Sequence, residues 1–376
     1  MKKRKGLSLI YLNNFLRGLG FSLVGIFIPI YFLTLGYTLN QVFLYFLIFH
    51  LVTFILTPLT LLLSRKFGYK PIIIASTPFV ILFLLSLIYI KELSIPLYVI
   101  ALFLAIQEIF FYLPLHSYFT RLTQDNKRGT QFSKYDSIGM IAGLISPLIG
   151  AFIAIVFGFS NLFYFAIVFF VLSIIPLLYI QNIMPITKIH HKNIHRLAKD
   201  YKHFFFATFF FNIKDNTEGI IWPIFVFLTI KSIISIGYIS VLAAIGAILF
   251  NLFIGKSHDR NNKYFYLKLS AVLYFFVWML RVFIELPIFI YVITLATGFI
   301  AIMMNIPYNA IFYDKASAHK DKDEFILFTE IPNFIGRAFL WIIMILVSSK
   351  FTTAFVLSAI ACLYFVFFKM EKSENR

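Results

Sequence analysis

Apolar runs of about 20 residues, parted by short polar intervals, repeat along the whole chain, and that is the length a helix needs to cross a hydrocarbon core of roughly 30 Å. Twelve spans are read, roughly 7–35, 40–63, 71–90, 96–120, 137–157, 161–182, 204–230, 236–254, 265–286, 288–312, 325–348 and 352–368. Hydrophobic residues make up 61% of the 376 and charged ones 13%, against roughly 25% charged in a soluble domain. A soluble fold of this size has no interior large enough to hide that apolar surface. The chain is therefore expected to be an all-α membrane protein, with no room left for a separate soluble domain. A transmembrane barrel is excluded, because the runs lack the alternation of polar and apolar residues that a lumen requires.

The net charge of +17 raises the question of a nucleic-acid partner, but the placement of the charge answers it. With the intervals numbered from the N-terminus, the odd ones hold only Lys91, Lys231 and Lys350. Arg17, Lys214, Lys268, Arg281 and Arg337 fall inside spans, and every other Lys and Arg lies in the N-terminus, an even interval or the C-terminal tail. Basic residues in that pattern orient helices and meet anionic lipid. The partners implied are a lipid bilayer and a small molecule, not nucleic acid. Both termini are read as cytoplasmic, in a multi-pass protein of the cell (plasma) membrane that acts as a monomer. The basic start resembles a signal peptide, yet the run behind it carries Asn13, Asn14 and Arg17 and lacks a small-residue cleavage site, so it reads as a retained first span. The single cysteine, Cys362, lies in the last span, which rules out an intrachain disulfide and points to no metal.

The longest polar interval, 182–203, divides the chain into a six-span bundle at 1–181 and another at 204–376. The two halves echo each other. Pro29-Ile-Tyr-Phe-Leu-Thr in span 1 matches Pro223-Ile-Phe-Val-Phe-Leu-Thr in span 7, an offset of 194, and Tyr112-Leu-Pro114-Leu-His116 in span 4 matches Asn305-Ile-Pro307-Tyr-Asn309 in span 10, an offset of 193. An offset that steady indicates two parallel six-helix repeats. In the interval itself Ile194, Leu197 and Tyr201 recur at helical spacing among Lys192, Arg196, Lys199 and Lys202. This suits a short amphipathic helix on the cytoplasmic membrane surface, or a solvated tether, and His190, His191 and His195 read as solvated there.

The chain resembles the major facilitator superfamily of secondary transporters. Gly255-Lys-Ser-His-Asp259-Arg260-Asn-Asn-Lys263, between spans 8 and 9, is similar to the superfamily's loop signature, with Asn262 in place of its second glycine. The first-half copy is degenerate, with Leu61 for the leading glycine and Arg65 for the acid, while Lys66 and Gly68 remain. In span 5, Ser146-Pro147-Leu-Ile-Gly150-Ala151 resembles the Gly-Pro-x-x-Gly-Gly motif of the superfamily's antiporters. The resemblance implies a cytoplasmic gate at Arg65, Asp259 and Arg260, and a central cavity lined by spans 1, 4, 7 and 10. Those spans carry Asn13, Asn14 and Arg17; Gln107, Glu108, Tyr112 and His116; Lys214, Asp215, Asn216 and Glu218; Asn305 and Asn309.

Charge inside a bilayer is costly, about 2.5–3.5 kcal/mol per residue on insertion scales, and ionisable residues there usually face an interior cavity. Glu108, Tyr112 and His116 recur four apart, so they share one face of span 4. Asn305 and Asn309 occupy the positions of Tyr112 and His116 in the second repeat. Arg17 is the expected counter-ion of Glu108, Lys214 of Glu218, and Arg281 of Glu285. Asn13, Asn14, Arg17, Gln107, Tyr112, His116, Asn216, Asn305 and Asn309 are the candidate substrate residues, and Glu108, Asp215 and Glu218 the candidate proton carriers.

These residues indicate secondary active transport of a small solute by alternating access, driven by a proton gradient, with no cofactor, no metal and no enzyme chemistry. The span 5 motif tilts the reading towards efflux. Proton-coupled uptake of a sugar, an organic anion or a peptide stays open, as does a non-transporting receptor with the same fold.

Overall fold

The computed structural model of the chain describes residues 2–123, 128–185, 192–253, 263–284, 286–319, 322–347 and 350–368, and every regular element among them is helical. The first half holds α1 (Lys2–Val24), α2 (Ile28–Thr34), α3 (Leu39–Phe67), α4 (Tyr69–Ile88), α5 (Leu97–Leu122), α6 (Arg128–Val156) and α7 (Gly158–Leu178). After α8 (Lys192–Asp200) come α9 (Lys202–Asn216), α10 (Trp222–Ile230), α11 (Ile233–Phe253), α12 (Lys263–Val282), α13 (Pro287–Ala318), α14 (Lys322–Leu346) and α15 (Phe351–Val366). Among the described residues nine stretches are long and apolar enough to cross a membrane. The shorter apolar helices Ser146–Val156 and Phe351–Val366, with α9 and α10 together, occupy the other three expected spans. Helices also outrun the apolar runs. α6 starts at Arg128, where hydropathy places a span only from 137, since backbone hydrogen bonding does not stop where lipid does.

Spans 1 and 7 are each broken, at matched places. A 3₁₀ turn, Gly25–Phe27, separates α1 from α2, and a π-helical turn, Thr217–Ile221, separates α9 from α10. The cause lies four residues beyond a glycine in each case. A proline inside a helix lacks the N–H and pushes against the carbonyl four residues earlier, and for Pro29 and Pro223 those carbonyls belong to Gly25 and Gly219. The chain answers by changing its winding: Ile28 N–H bonds Gly25 O, and Trp222 N–H bonds Thr217 O. Pro58, Pro114 and Pro307 sit inside helices that stay regular. At Gly25 and Gly219 an added Cβ would meet nothing within 4 Å, so the winding changes where neighbours leave room.

The chain divides into two compact units. One takes Met1–Tyr31, Leu44–Ile189 and Asp321–Leu327, and the other takes Phe32–Phe43, His190–Lys320 and Phe328–Arg376. Within the first, α1 packs on α7 and α6, and α4 packs on α5 and α7. Within the second, α9 packs on α15, and α12 packs on α13 and α15. Shifted by one repeat, α1 on α7, α4 on α5 and α4 on α7 become α9 on α15, α12 on α13 and α12 on α15. The repeat read from two proline motifs thus extends to these three helix pairs. In lipid the hydrophobic effect does not hold helices together, so close approach at small residues matters more. A Cβ on Gly150 of α6 would strike the carbonyl of Leu23 on α1, and one on Gly336 of α14 would strike that of Phe209 on α9. The outward faces carry Ile55, Leu62, Phe152, Phe276 and Leu280 exposed, as a lipid-facing surface requires.

The start of the polar interval is fixed to the first unit. Gly68, at φ +86°, turns the chain between α3 and α4. There Asn182 Nδ2 donates to Phe67 O at 2.8 Å, and Lys70 Nζ donates to Leu178 O and Ile180 O at 2.6 and 3.0 Å. Tyr118 OH adds a bond to Gln181 O at 2.9 Å. The later part of the interval forms α8, as its spacing suggested, with Leu197 buried and Arg196 exposed, 3.5 Å from Asp200.

Candidate functional site

In the first unit the polar side chains gather around α1. Asn13 is fully buried and donates to Ser173 O on α7 at 2.8 Å, while Asn14 donates to Tyr135 O on α6 at 2.8 Å. Both clamp α1 to its neighbours. Arg17, one turn further on, is 2% exposed, and its Nη2 donates to Gln107 Oε1 on α5 at 2.6 Å. The guanidinium lies over the Phe111 ring at 3.8 Å, with Phe170 at 5.4 Å and Phe21 at 5.5 Å. The expected Arg17–Glu108 pair is replaced by this bond to the neighbouring Gln107, because residues 107 and 108 point about 100° apart on a helix. Glu108, Tyr112 and His116 do share a face. Glu108 and His116 are partly exposed, Tyr112 is exposed, and the Tyr112 and His116 rings stack 6.3 Å apart.

The second unit gathers charge around the break in span 7. Glu218 lies on the π-helical turn and accepts both terminal nitrogens of Arg281 from α12, Nη1 at 3.0 Å and Nη2 at 2.9 Å. Arg281 Nη2 also donates to Thr297 Oγ1 at 2.9 Å. The guanidinium is sandwiched between Trp222 at 3.8 Å and Trp278 at 4.2 Å, and the Arg281 side chain is 0% exposed against 22% for Glu218. Glu218 therefore takes Arg281 rather than Lys214, because the π turn rotates it out of line with the residue four before it. Glu285, expected to hold Arg281, lies outside the described residues. Lys214 is buried instead against the Tyr274 and Phe211 rings, at 4.8 and 5.1 Å, with its ammonium 3.4 Å from Asn305 Oδ1 and 3.9 Å from Asp215 Oδ1. Asp215 is 52% exposed. Asn216 is buried and donates to Asn212 O on its own helix, and Asn309 is partly exposed on α13.

Two further clusters join residues far apart in the sequence. On α9 and α14, Asn212 donates to Asn333 Oδ1 at 2.8 Å and accepts from Arg337 Nε at 2.8 Å, while Asn333 reaches Glu330 at 3.4 Å. In the first unit, Asp323 in the opening turn of α14 accepts from Arg121 Nη1 and Nη2 at 3.1 and 2.8 Å and from Tyr69 OH at 2.9 Å. The signal for it was an acidic pair, Asp323 and Glu324, opening a helix where a carboxylate is favoured. This ionic anchor lies at the end of the spans that carries the basic loops. Of the residues the loop signature suggested, Arg65 sits partly exposed in the last turn of α3, and Asp259 and Arg260 lie outside the described residues.

The fold defined by these helices is that of a transporter. A family model for the Major Facilitator Superfamily matches residues 10–339, and the chain belongs to that superfamily of membrane transporters. Its twelve-helix fold is shared with solved structures. The human organic anion transporter MFSD10 (TETRAN) aligns over 98% of this chain and 99% of its own at 12% identity, with a TM-score of 0.71. The E. coli fucose:proton symporter FucP aligns over 98% of both chains at 14% identity, with a TM-score of 0.70. At such identities the likeness speaks for the fold alone. No curated protein matches the sequence. The protein is thus a multi-pass membrane protein with a small-molecule substrate.

Proposed function

We propose that the protein is a proton-coupled secondary transporter that moves its solute across the cell membrane by alternating access, with both termini in the cytoplasm. The observation that carries the coupling is Asp215. Of the three in-span carboxylates weighed, it is half exposed, stands just before the break in span 7, and has Lys214 at 3.9 Å as its ion-pair contact. Glu218, by contrast, is held by two short bonds to Arg281. Protonating Asp215 removes the charge beside Lys214 and leaves that ammonium to Asn305, so proton binding changes what unit 2 offers a ligand. In proteoliposomes, Asp215→Asn is expected to abolish accumulation driven by a pH gradient while exchange of solute across the membrane continues. The solute is first chosen by a thermal-shift screen. Undiminished gradient-driven accumulation in the variant rules Asp215 out.

Export is the preferred direction, supported by the Ser146-Pro147-x-x-Gly150 likeness to antiporters and by the need for glycine at 150. Uptake by symport is the second reading, supported by the shared fold with a fucose:proton symporter. The sign of the pH gradient that drives accumulation separates them. Absence of flux for every solute that binds would instead favour a receptor.

A further inference from the structure

We propose that Arg17 is a recognition group for a carboxylate, so that the solute is a monovalent organic anion with an apolar body. This rests on the transport reading above. Nε and Nη1 of Arg17 find no hydrogen-bond acceptor, and they carry three of the guanidinium's five N–H groups. Its one polar partner among the described residues, Gln107, is neutral. Three phenylalanine rings surround the cation, and rings attract its charge without accepting its in-plane N–H groups. A buried charge with no anion beside it is among the least favourable arrangements a protein can hold. One turn earlier on α1, Asn13 Oδ1 is also buried without a donor. Helix bracing alone accounts for Asn13 Nδ2 and Arg17 Nη2, and for none of these remaining groups.

The chemistry of the missing partner follows from the surroundings. Arg17 is the single Lys or Arg inside the spans of the first repeat, so it matches one negative charge. A multiply charged phosphate would stay uncompensated there, whereas a carboxylate accepts from the second N–H of Nη2 together with either Nη1 or Nε, and leaves Gln107 on the first. Phe21, Phe111 and Phe170 suit an apolar or aromatic body behind the carboxylate. Phe111 and Phe170 are buried, while Phe21 is partly exposed and lies four residues before the Gly25–Phe27 turn.

The test uses the full chain in lipid nanodiscs and its unfolding temperature. The probes are benzoate, phenylacetate and octanoate, each beside its neutral amide, with inorganic phosphate as a further arm. At least one carboxylate is expected to raise the unfolding temperature in a concentration-dependent way, with no effect of its amide or of phosphate. Gln107→Glu puts a resident carboxylate on Arg17, so it is expected to raise the unfolding temperature without ligand and to erase the carboxylate response. Arg17→Lys, which keeps the charge but loses the fork, is expected to weaken binding about tenfold. Equal shifts from acid and amide, no shift from any acid, or wild-type binding by Gln107→Glu each overturn the proposal. Flux of a neutral solute without any carboxylate response also overturns it, and leaves transport standing. Carboxylate binding without flux of any solute upholds the anion site and removes the transport reading instead.

Discussion

Replacing Arg281 by methionine removes a cation that four groups hold at once. Two bonds of 2.9 and 3.0 Å to Glu218 and one of 2.9 Å to Thr297 are lost, and so is the contact with two indole faces at 3.8 and 4.2 Å. Breaking a buried ion pair from one side costs about 3–5 kcal/mol, because the other charge is stranded. Glu218 retains 22% exposure, which lets water reach it and places the expected loss near the lower limit, about 3 kcal/mol. Each desolvated cation–aromatic contact adds up to about 2 kcal/mol, partly recovered by methionine packing between the rings. The double variant Glu218→Gln/Arg281→Met strands no charge, so it should be more stable than Arg281→Met alone by about 2 kcal/mol or more. Reversible unfolding of the detergent-solubilised protein, measured for the wild type, both single variants and the double, gives the coupling energy directly. Strict additivity, or a loss below about 1 kcal/mol for Arg281→Met, would refute the argument that this pair is desolvated and mutually dependent.

Two smaller perturbations test the packing and the anchor. Gly336→Ala drives a methyl into the Phe209 carbonyl between α14 and α9, and should destabilise by about 1–3 kcal/mol, read by the same unfolding assay. Asp323→Asn keeps the shape but takes the charge from Arg121 and from the first turn of α14. It should lower stability by about 1–3 kcal/mol and, at equal temperature, speed proteolysis at the basic loops, which limited trypsin digestion measures.

The spans and their repeat were legible because both rest on local pattern. Run length reports the bilayer, and Pro29 with Pro223, or Pro114 with Pro307, carries the offset on its own. Partnerships between spans were much less legible. Arg281 and Glu218 are 63 residues apart, and a single sequence offers only neighbours at helical spacing, which is why Lys214 and Glu285 looked like the partners. The Lys214–Glu218 reading assumed a regular helix, and the π turn between them removed that premise. Asn13 and Asn14 show a different gap: an asparagine inside a span reads as a cavity residue, yet its amide N–H can go to a carbonyl on a packed helix, as on α7 and α6 here. Asp323 stayed hidden because its partners, Arg121 and Tyr69, lie some 200 residues or more away in the other repeat.

The matched breaks at Gly25–Phe27 and Thr217–Ile221 bear on descent as well as on mechanics. A chain made by doubling one six-helix half inherits every backbone irregularity twice, at a fixed offset, and 194 residues separate both the prolines and the glycines of these two breaks. The side chains around them were not inherited alike. At that offset the places of Asp215 and Glu218 are taken by Phe21 and Val24. A change of winding is common to both halves, whereas the carboxylates beside it stand in the second half alone.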